Sequence, residues 1–585
     1  MFLKNVLATL VALIIFTVAI FAFFLIGIGI ISATGEQPVD IADNSILHLK
    51  LDRPILERSI DNPLSDLVMF GGRNAGVGLK ELKEAIRRAA EDDRIQGILM
   101  EPNFLYAGLG KLYELRKELE KFKETGKFII SYSEYYSESE YYLASVADEV
   151  YLPEEGILEF NGFRAEYNFI KGTIEKLGIE AEVFKAGDYK SAVEPFTRTE
   201  MSNESREQTS LLLNSFYSTY LADISRTRDV SENQLNNVAD SMLATNAKDA
   251  LKYQLITDTK YFDQVIEELK FRTDLDSTDK LKPIPITPYL TSTSSIHDGS
   301  ERIAVVFADG EIINGKTNME NIGSESLSRQ LRKLRQDDRI KAVVLRINSP
   351  GGSSLASDVI WREVLKTSEV KPIIASMSDV AASGGYYIAM ACDSIVAQPM
   401  TITGSIGVYS MHFSAKELLE DKLGITTDVV KTGLLSDIFT IARPFTEYEK
   451  NMFQSSAEST YQTFLKKASS GRGMTVDQID AIAGGRIWSG TQARDNGLID
   501  ALGGLDEAVS MAAAAAGIEQ GDYRLRYYPP QKTFIEQIIS DLSGGYEESR
   551  MKSELGVFYP MVRKIRELQN HQGLQSRLPF DITIQ

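Results

Sequence analysis

The sequence predicts an α/β protein built from two tandem copies of one domain behind an N-terminal transmembrane helix. Three observations predict this architecture: an internal repeat, an alternation of strand and helix patterns in each copy, and a long apolar run at the N-terminus. Residues 131–152 align without a gap on residues 376–397, and the same offset of 245 residues aligns residues 92–95 on residues 337–340. A register kept over about 60 residues indicates a duplicated domain.

The N-terminal apolar run predicts a retained membrane anchor. Positions 6–31 hold 26 apolar or small uncharged residues. This is more than the ~20 that cross a bilayer core and more than the ~7 to 15 of a signal-peptide core. Lys4 precedes the run and acidic residues follow it, so the positive-inside rule predicts that the bulk lies on the periplasmic side of the inner (cytoplasmic) membrane. A cleaved signal peptide is the alternative, but residues 31–34 lack a clean cleavage site.

The chain divides into five predicted regions. They are an anchor with a short linker (residues 1–45), a first α/β repeat (46–272), a connector (273–300), a second α/β repeat (301–529) and a C-terminal tail (530–585). The connector holds Pro283, Pro285 and Pro288 beside a Thr/Ser cluster, so it is predicted not to sustain a helix.

Each repeat is predicted to alternate helices and strands in the same order. In the first repeat the pattern predicts helix, strand, helix and two strands at residues 79–90, 95–100, 112–123, 128–132 and 149–152. In the second it predicts strand, helix, strand, helix and two strands at residues 303–307, 327–335, 342–347, 355–366, 373–376 and 394–397. The strands are continuous apolar runs, which is typical of a parallel sheet covered by helices on both faces.

Composition argues against several function classes. The formal net charge of -19 and the absence of a Lys/Arg-rich run argue against a nucleic-acid partner. A single cysteine, Cys392, excludes an intrachain disulfide framework and a cysteine zinc cluster. The four histidines lie far apart without ligand spacing. Neither a metal nor a cofactor is predicted.

Two glycine-rich turns in the second repeat predict a backbone that binds an oxyanion. Gly351 and Gly352 follow a predicted strand, and Ser383 precedes Gly384 at a predicted strand-to-helix turn. Such turns present N–H groups to an acceptor, as do the first residues of a helix. The N–H groups of Gly352 and Gly384 would then hold the oxyanion while the Ser383 hydroxyl attacks the carbonyl carbon. The alternative is a tight glycine turn with Ser383 as a helix N-cap.

The serine needs a base, and the sequence offers two candidates. His412 lies one strand beyond Ser383 and could approach it, although a packed or solvated histidine is the alternative. Lys190 is the better candidate, because a loose alignment places Ser436 of the second repeat at its position. One repeat keeps the lysine and the other keeps the serine, which predicts a shared site. Burial without a carboxylate partner would lower the pKa of such a lysine enough for it to act as a base.

Four sequence blocks together resemble the signal peptide peptidase A (protease IV) family in its long, duplicated bacterial form. The blocks are YKSAVEPF, NSPGGS, SMSDVAASGGYY and TGSIGV, which begin at residues 189, 348, 376 and 403. They occur in the order of the family, and the apolar run precedes them. The resemblance covers nearly the whole chain.

The resemblance implies a Clp-protease/crotonase-like fold and a Ser-Lys dyad. It also implies a membrane-tethered homo-oligomer, a tetramer, that degrades signal-peptide remnants and other short unfolded apolar peptides. Carried over by position, Ser383 is the nucleophile and Lys190 the general base. Gly352 and Gly384 are the oxyanion donors, and the hydroxyl of Ser405 orients the lysine.

The first repeat departs from this pattern. Glu138 stands at the position of the serine, and Tyr106 and Ala107 stand at the positions of the paired glycines. The first repeat is therefore predicted to be an inactive scaffold that supplies the lysine.

Two other function classes remain open. Acyl-CoA hydratases and isomerases share the implied fold and use an oxyanion hole without a nucleophile. The apolar run and the pair of Ser383 and Lys190 weigh against that class. A non-catalytic membrane scaffold would also explain an eroded repeat.

Overall fold

The computed structural model describes residues 4–13, 15–17, 19, 39–59, 76–294, 299–317, 321–530 and 574–577. The predicted anchor helix at residues 6–31 therefore lies mostly outside the described residues, as does most of the C-terminal tail. Among the described residues no helix is long and apolar enough to cross a bilayer.

The first part of the chain forms a parallel six-stranded sheet with helices packed on it. The strands of the first part, of which six form this sheet, are β1 to β11: Ser45–Leu51, Ile55–Leu56, Val77–Gly78, Ile95–Pro102, Phe128–Tyr132, Tyr135–Tyr136, Glu149–Leu152, Ile157–Leu158, Glu180–Ala186, Asp258–Thr259 and Ile284–Pro285. Its helices α1 to α10 are Leu79–Glu91, Leu109–Glu124, Glu138–Ala144, Lys171–Lys176, Glu194–Thr197, Asn203–Arg228, Glu232–Asp240, Ala247–Lys252, Phe262–Arg272 and Ile286–Ser292. The sheet order is β10-β7-β5-β4-β1-β11.

The second part repeats this arrangement around an eight-stranded sheet. Strands β12 to β23 are Glu301–Asp309, Glu311–Ile313, Asn321–Gly323, Ile340–Ser349, Gly351–Ser353, Ile373–Ala382, Ser394–Ala397, Ile402–Gly404, Val408–Ser414, Ile487–Ser489, Ala501–Leu502 and Tyr523–Tyr528. Helices α11 to α17 are Ser324–Gln336, Ser354–Ser368, Gly384–Ala389, Glu447–Arg472, Val476–Ile482, Gly490–Asp495 and Leu505–Ala515. The main path of the sheet is β21-β19-β17-β15-β12-β23, and β18 pairs with β17.

Equivalent elements of the two parts occur in the same order and at a constant offset in the sequence. Helix α1 and helix α11 occupy equivalent positions at the offset of 245 residues, and so do strands β7 and β18. The order β1-β4-β5-β7 in one sheet matches β12-β15-β17-β18 in the other, and all of these pairs are parallel. The duplicated α/β architecture predicted from the sequence is confirmed.

A third sheet joins the two parts. Its order is β14-β13-β16-β24-β20-β9, in which β24 is Gln575–Arg577. Strand β9 comes from the first part and pairs antiparallel with β20 of the second part, from Val408 opposite Ala186 to Ser414 opposite Glu180. Because of this pairing, the residues that follow β9 lie against the second part.

The prediction that the connector sustains no helix is wrong. Helix α10 lies within it, and β11 before it pairs with β1. Pro285 is the N-cap residue, and Pro288 lies in the first turn, where a missing N–H costs no intrahelical hydrogen bond. Tyr289 is buried, and its hydroxyl lies 3.1 Å from Asp92 Oδ2. Tertiary packing thus stabilises a short helix that the proline content disfavours.

A buried ion network holds the two parts together. The guanidinium of Arg346 on β15 donates from Nε to Glu57 and from Nη2 to Glu114, both at 2.8 Å. Both carboxylates belong to the first part, and all three side chains are buried. Lys83 adds a second cation at 2.5 Å from Glu114. Each buried charge therefore has an opposite charge as its partner, which offsets its desolvation.

We expect Arg346→Ala to destabilise the protein by about 3 to 5 kcal/mol, because two buried carboxylates lose the guanidinium that they share. The free energy of unfolding in urea measures the loss. Arg339→Ala is the matched control, because Arg339 pairs with Asp337 at an exposed position. Equal stability of the two variants would contradict the role assigned to the network.

Candidate active site

Ser383 lies at the sharp turn between β17 and α13. Its backbone adopts φ 55° and ψ -112°, a left-handed conformation that is strained for a residue with a side chain. Its N–H donates to the Gly404 carbonyl at 2.8 Å. Ser383 occupies the N-cap position of α13, but its side chain makes no capping hydrogen bond. The simple N-cap interpretation therefore does not describe this serine, whose hydroxyl is used elsewhere.

Lys190 reaches the serine from the other part of the chain. It follows β9 at the start of a short 3-10 turn, and its side chain is completely buried. Lys190 Nζ lies 2.8 Å from Ser383 Oγ, 3.0 Å from Ser405 Oγ and 3.1 Å from the Ser405 carbonyl oxygen. The structure thus brings together the lysine and the serine that the two repeats retain separately.

The surroundings of Lys190 favour its neutral form. Burial lowers the pKa of Lys190 well below its ordinary value, and no opposite charge counters that shift. The three oxygen atoms around Nζ come from serine residues and carry no charge. A neutral amine at hydrogen-bonding distance from a hydroxyl can accept its proton.

Ser405 is positioned by backbone geometry of its own. Like Ser383 it has a left-handed backbone, with φ 51°, and its N–H donates to the Arg486 carbonyl at 2.7 Å. It contacts Lys190 Nζ through both its hydroxyl and its carbonyl. These two contacts fix the lysine side chain in place.

The glycines of the two turns permit close contacts that a side chain would block. Gly351 has φ 98° and Gly352 has φ 153°, both in the region that favours glycine. A Cβ atom on Gly352 would lie 2.1 Å from the Ile312 carbonyl oxygen, and one on Gly384 would lie 2.6 Å from Ser357 Oγ. Gly384 is the first residue of α13, so its N–H has no partner within the helix.

His412 is held away from this chemistry. It lies on β20, where Nε2 is 3.1 Å from the Thr440 carbonyl oxygen and the ring stacks on Phe445 at 4.2 Å between centroids. Burial lowers its pKa. The hydrogen bonds of the described residues do not connect it to Ser383 or Lys190.

The equivalent position in the first part holds a buried carboxyl group. Ser137 caps helix α3 through a capping box with Glu140. Glu138, at the position of Ser383, accepts from the N–H groups of Asn161 and Gly162 at 2.9 and 2.6 Å. Burial raises the pKa of Glu138 to about 7. The first part therefore has a carboxyl group that is bonded to the backbone where the second part has the Ser383 hydroxyl.

One strand at this site is not predicted by the sequence pattern. Strand β24, only three residues long, pairs antiparallel with β16, which contains Gly351 and Gly352. Its residues Gln575 and Ser576 are buried. A segment this short has no readable periodicity, and the charged composition around it indicated only a tail.

Comparison with known proteins identifies the family. Peptidase family S49 matches residues 121–276 and residues 366–519, which together make up more than half of the chain. The chain belongs to peptidase family S49. The two matches fall in the two repeats, and the Clp protease family matches residues 299–403.

Three relatives extend the likeness over most of the chain. A chloroplastic serine protease SPPA of Arabidopsis thaliana is 36% identical over 86% of this chain and 74% of its own length. Protease 4 of Salmonella typhi is 34% identical over 80% of this chain and 76% of its own length. Protease 4 of Haemophilus influenzae is 32% identical over 94% of this chain and 92% of its own length.

Membership of family S49 makes this protein a serine protease with duplicated Clp-protease-like domains. The family resemblance seen in the sequence and the predicted enzyme class are confirmed. This enzyme class argues against the acyl-CoA hydratase and scaffold alternatives.

We expect kcat/KM for a peptide to rise with pH through an acid limb. Lys190 cannot accept a proton while it is protonated, so the limb reports its pKa in the free enzyme, and that pKa lies below the ordinary lysine value. A pH series of initial rates measures it. The limb should stay in place in His412→Ala, because the described contacts of His412 are with Thr440 and Phe445 and not with the serine. Loss of the limb in that variant would show that histidine is the titrating group.

Proposed function

We propose that this protein is a membrane-anchored endopeptidase that uses Ser383 as nucleophile and Lys190 as general base. The observation that carries the proposal is the 2.8 Å contact between a buried, carboxylate-free lysine amine and the hydroxyl of a strained serine. The Gly352 and Gly384 N–H groups are the proposed oxyanion donors, and Ser405 is the proposed positioning residue for the lysine.

The proposed reaction proceeds in two halves. Neutral Lys190 takes the hydroxyl proton as Ser383 Oγ attacks the peptide carbonyl, and the negative oxygen is held by the Gly352 and Gly384 N–H groups. The resulting lysine ammonium gives its proton to the leaving amine, which departs and leaves an ester on Ser383. Lys190 then activates a water molecule that hydrolyses the ester. Ser405 keeps Nζ in place in both protonation states.

The proposed substrates are signal-peptide remnants and other short, unfolded, apolar peptides. This substrate class follows from the resemblance to signal peptide peptidase A. The apolar run at residues 6–31 supports a tether that would keep the enzyme beside such remnants at the periplasmic face of the inner membrane. We propose the two repeats at residues 46–272 and 301–529 as the units that build the site.

Substitutions at the dyad test the mechanism. Ser383→Ala and Lys190→Ala should each abolish peptide hydrolysis, because they remove the nucleophile and the base of the proposed mechanism. Ser405→Ala should lose less activity than Lys190→Ala, since it removes only an orienting contact. His412→Ala should keep most activity. The measurement is kcat/KM on an unfolded apolar peptide, with circular dichroism as the check on folding.

Two results would contradict the assignment. Wild-type turnover by purified, folded Ser383→Ala would rule out the nucleophile. An inactive His412→Ala together with an active Lys190→Ala would move the base to the histidine.

The proposed enzyme is a homo-oligomer, a tetramer as the resemblance implies, and a contrast between the repeats supports association. Residues 426–432 are the equivalent of β9, and five of these seven residues are β-branched, as in strands. They nevertheless lie outside every described sheet and are exposed. Phe184 on β9 is 6% exposed and its equivalent Val430 is 99% exposed. Val193 is 3% exposed and its equivalent Phe439 is 68% exposed.

A second copy of the chain offers a matching strand. Residues 163–169 are the equivalent of β20 and also lie outside the described sheets. Their side chains alternate between half-buried and exposed, which is typical of a strand at a sheet edge. We propose that residues 426–432 of one copy pair antiparallel with residues 163–169 of the next, as β9 pairs with β20. Such a head-to-tail contact closes into a ring when the rotation between neighbouring copies divides a full turn, as the proposed tetramer requires.

Cysteine crosslinking tests this contact and its register. Because Phe184 pairs with Ser410, the equivalent residues Val430 and Ala165 should lie opposite each other in neighbouring copies. The double variant Val430→Cys with Ala165→Cys should form disulfide-linked oligomers upon oxidation. The native Cys392 is buried and should not interfere. Val430→Cys with Asn168→Cys is the matched control, displaced by about 10 Å along the strand and so beyond disulfide reach.

Sedimentation of the same preparations completes the test. A crosslink in the first variant and not in the control, in an oligomer of native mass, supports the proposed contact. A monomer at micromolar concentration, or equal crosslinking of both variants, would overturn it.

A further inference from the structure

Gln208 is a buried amide on the helix that follows the Lys190 loop. It is the sixth residue of α6 and lies on the same face of the helix as the buried Ser205 and Leu212. Only 1% of Gln208 is exposed. Burial of an amide is unfavourable unless its polar atoms are hydrogen-bonded. The partners of Gln208 therefore indicate its role.

The side-chain amide of Gln208 is hydrogen-bonded at both ends. Nε2 donates to the Tyr189 carbonyl and to Ser191 Oγ, both at 3.0 Å. These two partners stand directly before and after Lys190 in the chain. Oε1 accepts from the Ile487 N–H at 3.1 Å. Because donors and acceptor have different partners, these bonds also fix which way the amide faces.

Strand β21 extends this contact to the backbone of the two serines around the lysine. Its first residue, Ile487, lies opposite Gly404 of β19. The Gly404 carbonyl accepts from the Ser383 N–H at 2.8 Å. The carbonyl of the residue before β21 accepts from the Ser405 N–H at 2.7 Å. The amide on α6 therefore bonds the lysine loop to the strand that positions the serines.

The second repeat supports a role that is tied to the lysine. Helix α14 takes the place of α6 in the order of elements, and both helices are 26 residues long. The sixth residue of α14 is Met452, which is 40% exposed, whereas Gln208 is buried. The repeat that lacks the lysine thus also lacks the buried amide beside it.

We propose that Gln208 is a positioning residue, which holds the Lys190 loop against β21 and so keeps Nζ at hydrogen-bonding distance from Ser383 Oγ. The proposal rests on the proposed Ser-Lys mechanism. Gln208 acts through the backbone on either side of the lysine and not on the reacting atoms. Lys190 is completely buried. A loop that is held in this way also keeps water from its amine.

Charged side chains lie on or against the loop, namely those of Lys185, Asp188, Glu194, Glu207 and Arg486. Glu207 pairs with Arg486 at 2.9 Å, and Glu194 accepts from the N-cap residue of α6. Burial is nevertheless the cause of the lowered pKa of Lys190. A substitution that admits water to the amine should therefore raise that pKa toward the ordinary lysine value.

Substitution of Gln208 tests the proposal. Gln208→Leu keeps the approximate size of the side chain and removes its three hydrogen bonds. We expect kcat/KM on an unfolded peptide to fall at least about tenfold, because a small displacement of a catalytic group slows the reaction strongly. The acid limb of kcat/KM should also move to higher pH, because water then reaches Lys190 and raises its pKa.

A matched control is Gln492→Leu. Gln492 on α16 also bonds to α6, with Nε2 3.3 Å from the Leu211 carbonyl oxygen, but this bond lies away from the lysine loop. The control should keep both the rate and the position of the limb.

Ser191→Ala carries the test if Gln208→Leu does not fold. It removes one acceptor of the amide and very little volume. We expect the limb to move in the same direction, with a smaller loss of rate than in Gln208→Leu. Circular dichroism checks the fold of each variant.

The same assays on Lys190→Ala, with labelling of Ser383 by an active-serine acylating probe, separate the two proposals. If the wild type is labelled and Lys190→Ala is inactive, but folded Gln208→Leu and Ser191→Ala keep the wild-type limb, the positioning role is wrong and the proposed function stands. If Gln492→Leu moves the limb as far as Gln208→Leu, the positioning role is also wrong. If folded Lys190→Ala is as active as the wild type, the proposed function fails and the positioning role fails with it.

Discussion

The antiparallel pair of β9 and β20 is the contact on which the rest of the site depends. It is formed by strands from different repeats and ends where Ala186 lies opposite Val408, four residues before Lys190. Any slip in its register would move the amine away from Ser383 by about 3.3 Å per residue, which exceeds the tolerance of a hydrogen bond. The duplicated fold therefore supplies two halves of a site, and this strand pair joins them.

Two buried cations show how the same fold creates opposite electrostatic environments. Arg346 and Lys190 are both removed from water, which disfavours their charged forms. Glu57 and Glu114 surround Arg346, and the net result is a raised pKa. Lys190 has serine oxygens around it, and its pKa falls. The buried carboxylates of the interface lie beside Arg346, and Lys190 has no carboxylate partner. The cluster that stabilises the interface is therefore separate from the cluster around Ser383.

Much of the fold could be predicted because its signals are local. The strands at 128–132 and 149–152 have the predicted bounds, and helix α11 differs from its prediction by three residues at its N-terminus and one at its C-terminus. The elements that were not predicted depend on tertiary contacts. Helix α10 depends on the burial of Tyr289, and β24 depends on pairing with β16. The proximity of Lys190 and Ser383 was predictable because each repeat had lost the other's residue and because the four sequence blocks resemble a family with a Ser-Lys dyad. The Arg346 network joins residues too distant in sequence to leave any pattern.

The position of Lys190 in the first repeat also affects how the protein is made. Lys190 and Ser383 are 193 residues apart, and the lysine is synthesised first. At about 5 to 20 residues per second the serine emerges roughly 10 to 40 s after the lysine. Throughout that interval the nascent chain lacks the serine, and afterwards it still needs β20 to fold against β9. Under the proposed Ser-Lys mechanism, a growing polypeptide does not yet cleave peptides, and activity begins only when both repeats have emerged and docked.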